Sequence, residues 1–316
     1  MKSNCIICES QKTSLIEVLE MMFGTKHKFN YLLCQSCKSL TLQTAPNNIE
    51  KYYPGNYYSF SNFNPSESII MRHLKMHKHR HSLGHKNILG GILNILIGEN
   101  SNYKAIRFCE MKNKNVSILD VGSGSGTLLK NLNMYGFKNL NGIDSYLKKD
   151  FTFGEVKLIK TDISGLCKMN KKYDIVIMSH VLEHLKDPLE SLSRVKGLLN
   201  KKGKIILRVP ISSSKAFEIY KNNWFQIDAP RHFFIPSKKG LLYLTKKAGY
   251  NIDKYFFDST SSQFISSKYY SKGVALTNQL NNQYTRKFYY GLWARFLNTI
   301  DTVSYTHLTL PTIYSV

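Results

Sequence analysis

The stretch Leu119–Gly126, LDVGSGSG, decides the fold class because it places three glycines at alternate positions after an apolar run and an aspartate. The apolar run begins at Val116, is rich in β-branched residues and has the length of a buried strand. The residues that follow, TLLKNLNMYGF, have the apolar spacing of an amphipathic helix that ends at Gly136. This order of strand, glycine-rich turn and helix predicts a ligand site at the carboxyl end of the strand.

Further apolar runs of strand length follow this unit, and helical patterns such as DPLESLSRVKGLL separate some of them. The runs are NLNGID, VKLIKTD, KYDIVIMS and GKIILRVP. Alternating strands and helices are typical of a doubly wound, parallel α/β sheet that binds its ligand outside the carboxyl ends of the strands. The sequence therefore predicts a Rossmann-like α/β fold.

The glycine spacing and two aspartates indicate the kind of ligand. In a dinucleotide-binding fingerprint the third glycine comes three residues after the second, whereas Gly122, Gly124 and Gly126 have the spacing GxGxG. A carboxylate at Asp120 would repel a phosphate but attract an ammonium group, which weakens the alternative of an NAD enzyme. Asp144 lies 18 residues beyond Gly126, where a carboxylate is placed to accept hydrogen bonds from a ribose diol.

A third aspartate, Asp162 in TDIS, follows the next strand and is placed to reach an adenine edge. A ribose, an adenine and an amino-acid end together describe S-adenosylmethionine. An ordinary loop aspartate is the competing interpretation of Asp162, and a tight turn without a ligand is the competing interpretation of the glycines.

Residues 116–250 resemble a class I S-adenosylmethionine-dependent methyltransferase. ILDVGSGSG resembles motif I of that family, GIDSY its acidic ribose loop, KTDI its adenine loop, and YDIVIMSHVLEHLKDP the motif after its fourth strand. The resemblance implies that the cofactor contacts come from eight positions. They are Asp120, Gly122, Gly124, Gly126, Asp144, Asp162, Ile163 and Ser179.

Two histidines are candidate general bases. Methyl transfer from a sulfonium mainly requires alignment of the reacting groups, and a base is needed only if the acceptor starts protonated. His180 follows the fourth strand of the sheet, and His232 lies in DAPRHFF after the fifth. Packing over the cofactor is the alternative role for His180. Capping or packing is the expected role of Glu183 and His184, whose spacing is not that of the metalloprotease motif HExxH.

Two CxxC pairs near the N-terminus predict a metal site. Two such pairs can close a tetrahedral four-sulfur zinc site, and FNYLLCQSC has the pattern of a strand that leads into the second pair. A closed site of this kind stabilises a fold and leaves no position for chemistry. A redox dithiol and two chance pairs are the alternatives. The predicted zinc ligands are Cys5, Cys8, Cys34 and Cys37.

The CxxC pairs, the segment YYPGNYYSF and the segment DAPRHFFIPSKKGLLYLTKKAGY resemble a bacterial subgroup associated with surface-polysaccharide and sugar-modifying gene clusters. That resemblance implies a small-molecule acceptor, such as a nucleotide- or lipid-linked sugar, that is methylated at O, N or C. The net charge of +23 and the ribbon keep an RNA methyltransferase as an alternative, although the scattered lysines also suit an ordinary solvated surface. A non-catalytic binding module that retains the cofactor fold is the alternative from another class.

The sequence divides into five predicted segments. Apolar spacing after Ile69 predicts helices broken near Gly90, Gly91 and Gly98, and KYYPGNYYSFSNFNPSES is predicted to be an irregular surface connection. The segments are a zinc-ribbon-like part at 1–45, a connector with helices at 46–115, a cofactor-binding domain at 116–260, truncated C-terminal elements at 261–302, and a foreign tail at 303–316.

The tail is set apart because VSYTHLTLPT lacks the lysine and asparagine bias of the rest of the chain and resembles a translated sequencing adaptor. Residues 303–316 are therefore expected to be disordered or poorly placed. The longest apolar run, ILGGILNILIG, is shorter than the roughly 18 residues that a membrane span needs. The N-terminus lacks the apolar core of a secretory signal, so the expected location is the cytoplasm.

Overall fold

The computed structural model describes residues 4–53, 68–109, 114–281 and 305–311. Its strands fall into two separate sheets. The strands are β1 (Thr13–Leu19), β2 (Lys28–Cys34), β3 (Leu40–Leu42), β4 (Ser117–Val121), β5 (Asn139–Ile143), β6 (Phe151–Phe153), β7 (Val156–Ile159), β8 (Tyr173–Ser179), β9 (Leu199–Pro210), β10 (Phe234–Ile235), β11 (Lys254–Phe257) and β12 (Tyr305–Pro311).

The larger sheet has eight strands in the order β11-β12-β9-β8-β4-β5-β7-β6. Its centre, from β9 to β7, is parallel. At the edges, β6 pairs antiparallel with β7, β12 pairs antiparallel with β9, and β11 pairs antiparallel with β12. Every residue of β4 is buried, as expected for a central strand that is covered on both faces. The predicted α/β Rossmann-like fold is confirmed, with antiparallel strands added at both edges.

Helices flank this sheet and connect its strands. Local chemistry favours the start of α6, where the carboxylate of Asp187 accepts a hydrogen bond from the Glu190 N–H at 2.9 Å and Pro188 occupies the first turn. In the described ranges no helix combines the length and the apolar character needed to cross a membrane. The helices are α1 (Ile69–Ser82), α2 (Ile88–Ile97), α3 (Ser101–Phe108), α4 (Thr127–Met134), α5 (Ile163–Cys167), α6 (Pro188–Gly197), α7 (Lys215–Tyr220), α8 (Lys238–Lys247), α9 (Ser261–Tyr270) and α10 (Leu276–Asn281).

The connector helices correct one expectation. The break between α1 and α2 lies at Gly84, whose φ is +99°, and not near Gly90, which lies inside α2. A Cβ atom on Gly90 would stand only 2.3 Å from the carbonyl oxygen of His77 in α1. Gly90 is therefore explained by the close approach of two helices. The predicted break near Gly98 agrees with the structure, since α2 ends there.

The smaller sheet is antiparallel in the order β1-β2-β3-β10. Its first three strands come from the N-terminal segment, but β10 comes from the segment after β9. Phe234 of β10 pairs with Thr41, and Ile235 pairs with Leu40. The DAPRHFFIP segment thus completes the N-terminal sheet. The chain passes from β9 of the larger sheet directly to β10 of the smaller one, with no other strand between them.

A buried arginine strengthens this joint between the two sheets. The Arg231 side chain is fully buried, and its Nη2 donates hydrogen bonds to Asp228 at 2.6 Å and to Glu20 at 3.0 Å. Its Nη1 donates to the carbonyl oxygen of Tyr52 at 3.1 Å. The guanidinium therefore ties together the N-terminal segment, the connector and the loop after β9.

Replacing Arg231 with methionine is expected to lower the free energy of unfolding by about 3–5 kcal/mol, because Glu20 and Asp228 would remain as buried, uncompensated charges. Urea denaturation measures the effect. Lys28→Met is the matched control, since Lys28 pairs with Glu17 at 3.0 Å on an exposed surface of the same sheet and should lose less than about 1 kcal/mol. Equal losses in the two variants would contradict the assigned role of Arg231.

Part of the predicted tail lies in a strand. Residues 305–311 form β12, which pairs antiparallel with both β9 and β11. The alternation of threonine with aromatic and aliphatic residues in YTHLTL suits a strand, and the gap between β9 and β11 offers hydrogen-bond partners on both sides. The rest of the predicted tail, residues 303–304 and 312–316, lies outside the described residues.

Candidate functional site

The glycine-rich turn joins β4 to α4 in a conformation that other residues rarely adopt. The φ angles of Gly122, Gly124 and Gly126 are +69°, +52° and +75°, all in the left-handed region. A Cβ on Gly122 would lie 2.5 Å from Val181, and one on Gly126 would lie 2.7 Å from Leu158. The turn therefore requires glycine for both its backbone angles and its close packing.

Asp144 follows β5 and holds this turn in place. One carboxylate oxygen accepts the Gly124 N–H at 2.9 Å, and the other accepts the Tyr146 N–H at 2.8 Å. Each carboxylate oxygen has a further lone pair, so Asp144 retains acceptor capacity toward a ligand. Its side chain lines a cavity at the carboxyl ends of the parallel strands.

The cavity has a volume of about 530 Å³, and predicted cofactor residues at or after the carboxyl ends of four strands line it. Asp162 lies at its wall, where one carboxylate oxygen also accepts the Gly165 N–H at 2.7 Å and caps α5. The capping role and a ligand role are compatible, because the cap occupies one lone pair. The predicted cofactor residues that line the cavity are Gly122, Asp144, Asp162, Ile163 and Ser179.

Asp120 lies in β4, directly before the turn, and its side chain is buried. Burial and the negative charge of Asp144 raise the pKa of Asp120 to about 7. Asp120 is not among the residues that line the cavity, but a cationic ligand group that paired with it near neutral pH would compete with a proton for this carboxylate.

This competition predicts a pH dependence of ligand binding. Below pH 7 an ammonium group near Asp120 must displace the proton, so the affinity for S-adenosylhomocysteine is expected to fall about tenfold per pH unit. Above about pH 8 the affinity should be constant. Calorimetric titrations between pH 5.5 and 8.5 measure this, with Asp120→Asn as the variant that should lose the dependence. A flat profile in the unaltered protein would contradict the assignment.

Comparisons with known proteins agree with this geometry. Residues 99–255 match the family model described as a methyltransferase domain. These residues form a methyltransferase domain.

Two curated relatives match parts of the chain. EEF1A lysine methyltransferase 2 of Danio rerio is 43% identical over 58 residues, which are 18% of this chain and 25% of that protein. A ubiquinone biosynthesis O-methyltransferase of Rickettsia bellii is 29% identical over 153 residues, which are 45% of this chain and 63% of that enzyme. The chain thus spans less than two thirds of the length of either relative.

Among solved structures, an S-adenosylmethionine-dependent methyltransferase from Archaeoglobus fulgidus superposes with a TM-score of 0.43 and 19% identity. The superposition covers 72% of this chain and all of that one. A second, the cyclopropane synthase MmaA2 of Mycobacterium tuberculosis, has a TM-score of 0.43 and 13% identity over 68% of this chain and 85% of that one.

His180, the first candidate base, lines the cavity of the methyltransferase domain directly after β8. Its backbone has a φ of +57°, a strained value for a residue with a side chain, as is common at functional sites. Arg208 Nη1 approaches His180 Nε2 at 2.6 Å, and a guanidinium can only donate, so Nε2 accepts. His180 Nδ1 then donates to Glu183 at 3.3 Å. As a base, His180 would first have to release Arg208.

His232, the second candidate base, is buried, while its neighbour Phe233 lines the cavity. Its Nδ1 lies 2.9 Å from the carbonyl oxygen of Gln226, which can only accept, so Nδ1 carries the proton. Burial and the nearby His184 lower the pKa of His232 to about 4. His232 is therefore neutral at pH 7 and a weak base.

Glu183 and His184 lie closer to the cavity than the sequence suggested. They form a 3₁₀ turn, Leu182–His184, after β8, and His184 lines the cavity. Burial would raise the pKa of Glu183, but a hydrogen bond from His180 and the surrounding histidines lower it overall. Ligand atoms of Glu183, His184 and His232 all lie within 4.8 Å of one another.

The four predicted zinc ligands form a compact cluster at the N-terminal sheet. The Sγ atoms of Cys5 and Cys37 are 3.6 Å apart, and those of Cys8 and Cys34 are 3.5 Å apart. All four sulfur atoms lie within 4.8 Å of one another, and none forms a disulfide. A tetrahedral zinc site with Zn–S bonds of about 2.3 Å places its sulfur atoms about 3.8 Å apart, so the cluster fits the metal.

Sequence reasoning missed two tyrosines at the cavity. Tyr53, assigned to a surface connection, lines the cavity and stacks on Tyr146 with a ring-centroid distance of 5.6 Å. The remainder of that connection, residues 54–67, lies outside the described residues. Tyr146 follows Asp144 by two positions, which is the one local signal that could have identified it. Tyr53 had no such signal, since its place depends on long-range packing.

Proposed function

We propose that this chain transfers the methyl group of S-adenosylmethionine to a small-molecule acceptor, with a sugar or saccharide intermediate as the preferred acceptor class. The main support is that predicted cofactor residues and candidate acceptor-binding residues line one cavity of the methyltransferase domain. Asp144 and Asp162 line it beside the glycine turn, and His184 and Phe233 line it as well. Cofactor and acceptor would therefore meet within one cavity.

The wall of the cavity supports a small acceptor. Tyr53, Tyr146 and Phe233 offer aromatic faces beside the polar groups of His180 and His184. Small-molecule pockets typically combine apolar walls with a few polar groups that fix orientation. The name of the Rickettsia relative describes an O-methyltransferase of ubiquinone biosynthesis, which is a small-molecule reaction. The zebrafish relative, named as a lysine methyltransferase, makes a protein acceptor the competing possibility.

The residues of the chain would serve mainly to align the reactants. Bound S-adenosylmethionine supplies a methyl group that its sulfonium already activates. Asp144 would hold the ribose, and Asp120 would pair with the ammonium group of the methionine moiety. Since direct displacement depends on the geometry of nucleophile, carbon and sulfur, these contacts contribute through positioning.

We also propose that Cys5, Cys8, Cys34 and Cys37 hold a structural zinc ion. The spacing of their sulfur atoms supports this, as does their packing against hydrophobic residues such as Leu241 and Leu244 of α8. A four-thiolate site leaves no open coordination position, so this zinc would stabilise the fold and take no part in methyl transfer.

Methyl-labelled S-adenosylmethionine tests the proposed activity. The zinc-loaded protein would be incubated with nucleoside-diphosphate sugars, with small phenols, or with total RNA, and the Asp144→Ala variant would serve as control. We expect label in a small-molecule product, most strongly with the sugars, and none with the variant. Label confined to RNA or protein would refute the small-molecule acceptor. No transfer to any acceptor despite cofactor binding would favour the non-catalytic module.

A further inference from the structure

Three side chains beside the cavity have the arrangement of metal ligands. Glu183 and His184 come from the 3₁₀ turn after β8, and His232 comes from the loop before β10. Their ligand atoms lie within 4.8 Å of one another. We propose that Glu183, His184 and His232 bind a divalent metal cation that contacts the acceptor.

Backbone carbonyl groups orient both histidines for this role. His184 Nδ1 lies 3.0 Å from the carbonyl oxygen of Arg231, and His232 Nδ1 lies 2.9 Å from that of Gln226. A carbonyl oxygen only accepts, so both Nδ1 atoms carry protons and both Nε2 atoms have a lone pair. Besides the proposed ligands, the carboxylate of Asp228 faces His232 Nε2, with Oδ2 at 4.0 Å. A histidine that binds a metal typically donates its other N–H to a carbonyl or carboxylate in this way.

Tyr53 does not change this assignment. Its hydroxyl oxygen lies 3.1 Å from His184 Nδ1 and can accept a share of the same N–H. The hydroxyl therefore adds a second restraint on the imidazole ring. It also places a cavity-lining aromatic side chain directly against a proposed ligand.

The buried carboxylate of Glu183 also indicates a bound cation. Its side chain is fully buried, and Oε1 lies 3.3 Å from His180 Nδ1. Its other oxygen, Oε2, is buried and has no hydrogen-bond partner within the described part of the chain. Leaving a buried carboxylate oxygen without a partner is costly, and a cation held jointly with the two imidazoles would supply the partner.

The donor set distinguishes this site from the cysteine cluster. Two imidazole nitrogens and one carboxylate suit divalent ions such as Mn²⁺, Fe²⁺ or Zn²⁺, whereas four thiolates select zinc. Three protein ligands leave coordination positions open. His184 lines the cavity that also contains Asp144, so an open position can be reached by an acceptor that lies beside the cofactor.

The chemical role of the cation rests on the proposed methyl transfer. A hydroxyl group bound to a divalent cation has a lowered pKa and loses its proton to water. Its oxygen then forms a bond to the methyl carbon, the carbon–sulfur bond breaks, and the electron pair stays on sulfur as S-adenosylhomocysteine forms. This route does not require a protein base, which agrees with the contact between Arg208 Nη1 and His180 Nε2 at 2.6 Å.

Manganese binding to protein that holds one zinc ion per chain, at the cysteine cluster, tests the site directly. Titration with Mn²⁺, followed by the electron paramagnetic resonance signal of the free ion, is expected to show about one saturable site per chain. Glu183→Gln and His184→Asn should weaken this binding at least about tenfold. Glu190→Gln is the matched control, since Glu190 is an exposed carboxylate on α6, and it should bind Mn²⁺ normally.

Calorimetry with S-adenosylhomocysteine on the same samples shows whether each variant is folded. It also distinguishes failure of the proposed metal site from failure of the proposed methyl transfer. Retained cofactor binding in Glu183→Gln, together with lost Mn²⁺ binding, supports the metal site. A second zinc equivalent that is present in the unaltered protein and absent from Glu183→Gln supports it equally. Absence of any metal beyond one zinc per chain, or equal Mn²⁺ binding by all variants, overturns it. Metal binding without cofactor binding would leave the site standing and refute the proposed methyl transfer.

Discussion

Replacing Asp144 with alanine is expected to weaken binding of S-adenosylhomocysteine by about 100-fold. The substitution would remove two charge-assisted hydrogen bonds to the ribose, each contributing about 1.5 kcal/mol or more. It would also release the Gly124 N–H, which Asp144 accepts at 2.9 Å, and so loosen the glycine turn. Isothermal titration calorimetry gives the dissociation constants.

Asp253→Ala provides the matched control for this experiment. Asp253 pairs with Lys204 at 2.7 Å and is not among the residues that line the cavity. Its removal should leave the affinity within about twofold of the unaltered protein. Unchanged affinity in Asp144→Ala, in protein that unfolds cooperatively, would remove the ribose assignment.

Replacing Cys37 with serine is expected to abolish zinc binding at the cysteine cluster and to lower the free energy of unfolding by about 5 kcal/mol or more, since structural zinc contributes directly to folding. The loss should reach beyond the N-terminal sheet. The Cys37 carbonyl oxygen accepts a hydrogen bond from the Ser237 hydroxyl, and Tyr31 donates to the His232 carbonyl oxygen at 2.8 Å. Guanidinium denaturation and metal analysis measure the two effects.

Cys109→Ser is the control for this variant. Cys109 is also buried, but it lies on α3's C-terminal side, far in sequence from the two CxxC pairs. The control should retain one zinc per chain and lose only about 1–2 kcal/mol. Equal stability of Cys37→Ser and the unaltered protein, or a folded protein that never binds zinc, would refute the structural role of the metal.

Local patterns predicted the parts of the site that depend on neighbouring residues. The alternate glycines required a turn after β4, and the fixed length of a strand-helix-strand unit brought Asp144 to that turn. The two CxxC pairs likewise lie together as predicted. The antiparallel strands β1 and β2 lie between them in sequence, and their pairing brings Cys34 back beside the start of β1. In each case a short-range pattern and one strand pairing determine the geometry.

Contacts between distant segments could not be predicted in this way. Arg231 reaches Glu20 across 211 positions, and β10 adds to a sheet whose other strands precede residue 43. The sequence predicts a capping or packing role for Glu183 and His184, because nothing in their short segment indicates that His232 lies beside them. Such juxtapositions arise from packing of the whole domain and have no signature in spacing.

Glycine shows the same limit on a smaller scale. A glycine pair in an apolar run suits both a helix break and a close helix-helix contact, and only the position of α1 against Gly90 distinguishes them. The glycines after β4 were less ambiguous, because an aspartate and a strand precede them. Neighbouring sequence therefore determined how far each glycine could be interpreted.

Equilibrium binding of S-adenosylhomocysteine to the zinc-loaded protein, with NADH titrated in parallel, shows which cofactor this chain takes. We expect micromolar affinity for S-adenosylhomocysteine at pH 8 and no measurable binding of NADH. The GxGxG turn and the carboxylate of Asp120 favour an amino-acid end over a pyrophosphate. Binding of NADH, or binding of neither ligand by folded protein, would refute S-adenosylmethionine as the cofactor.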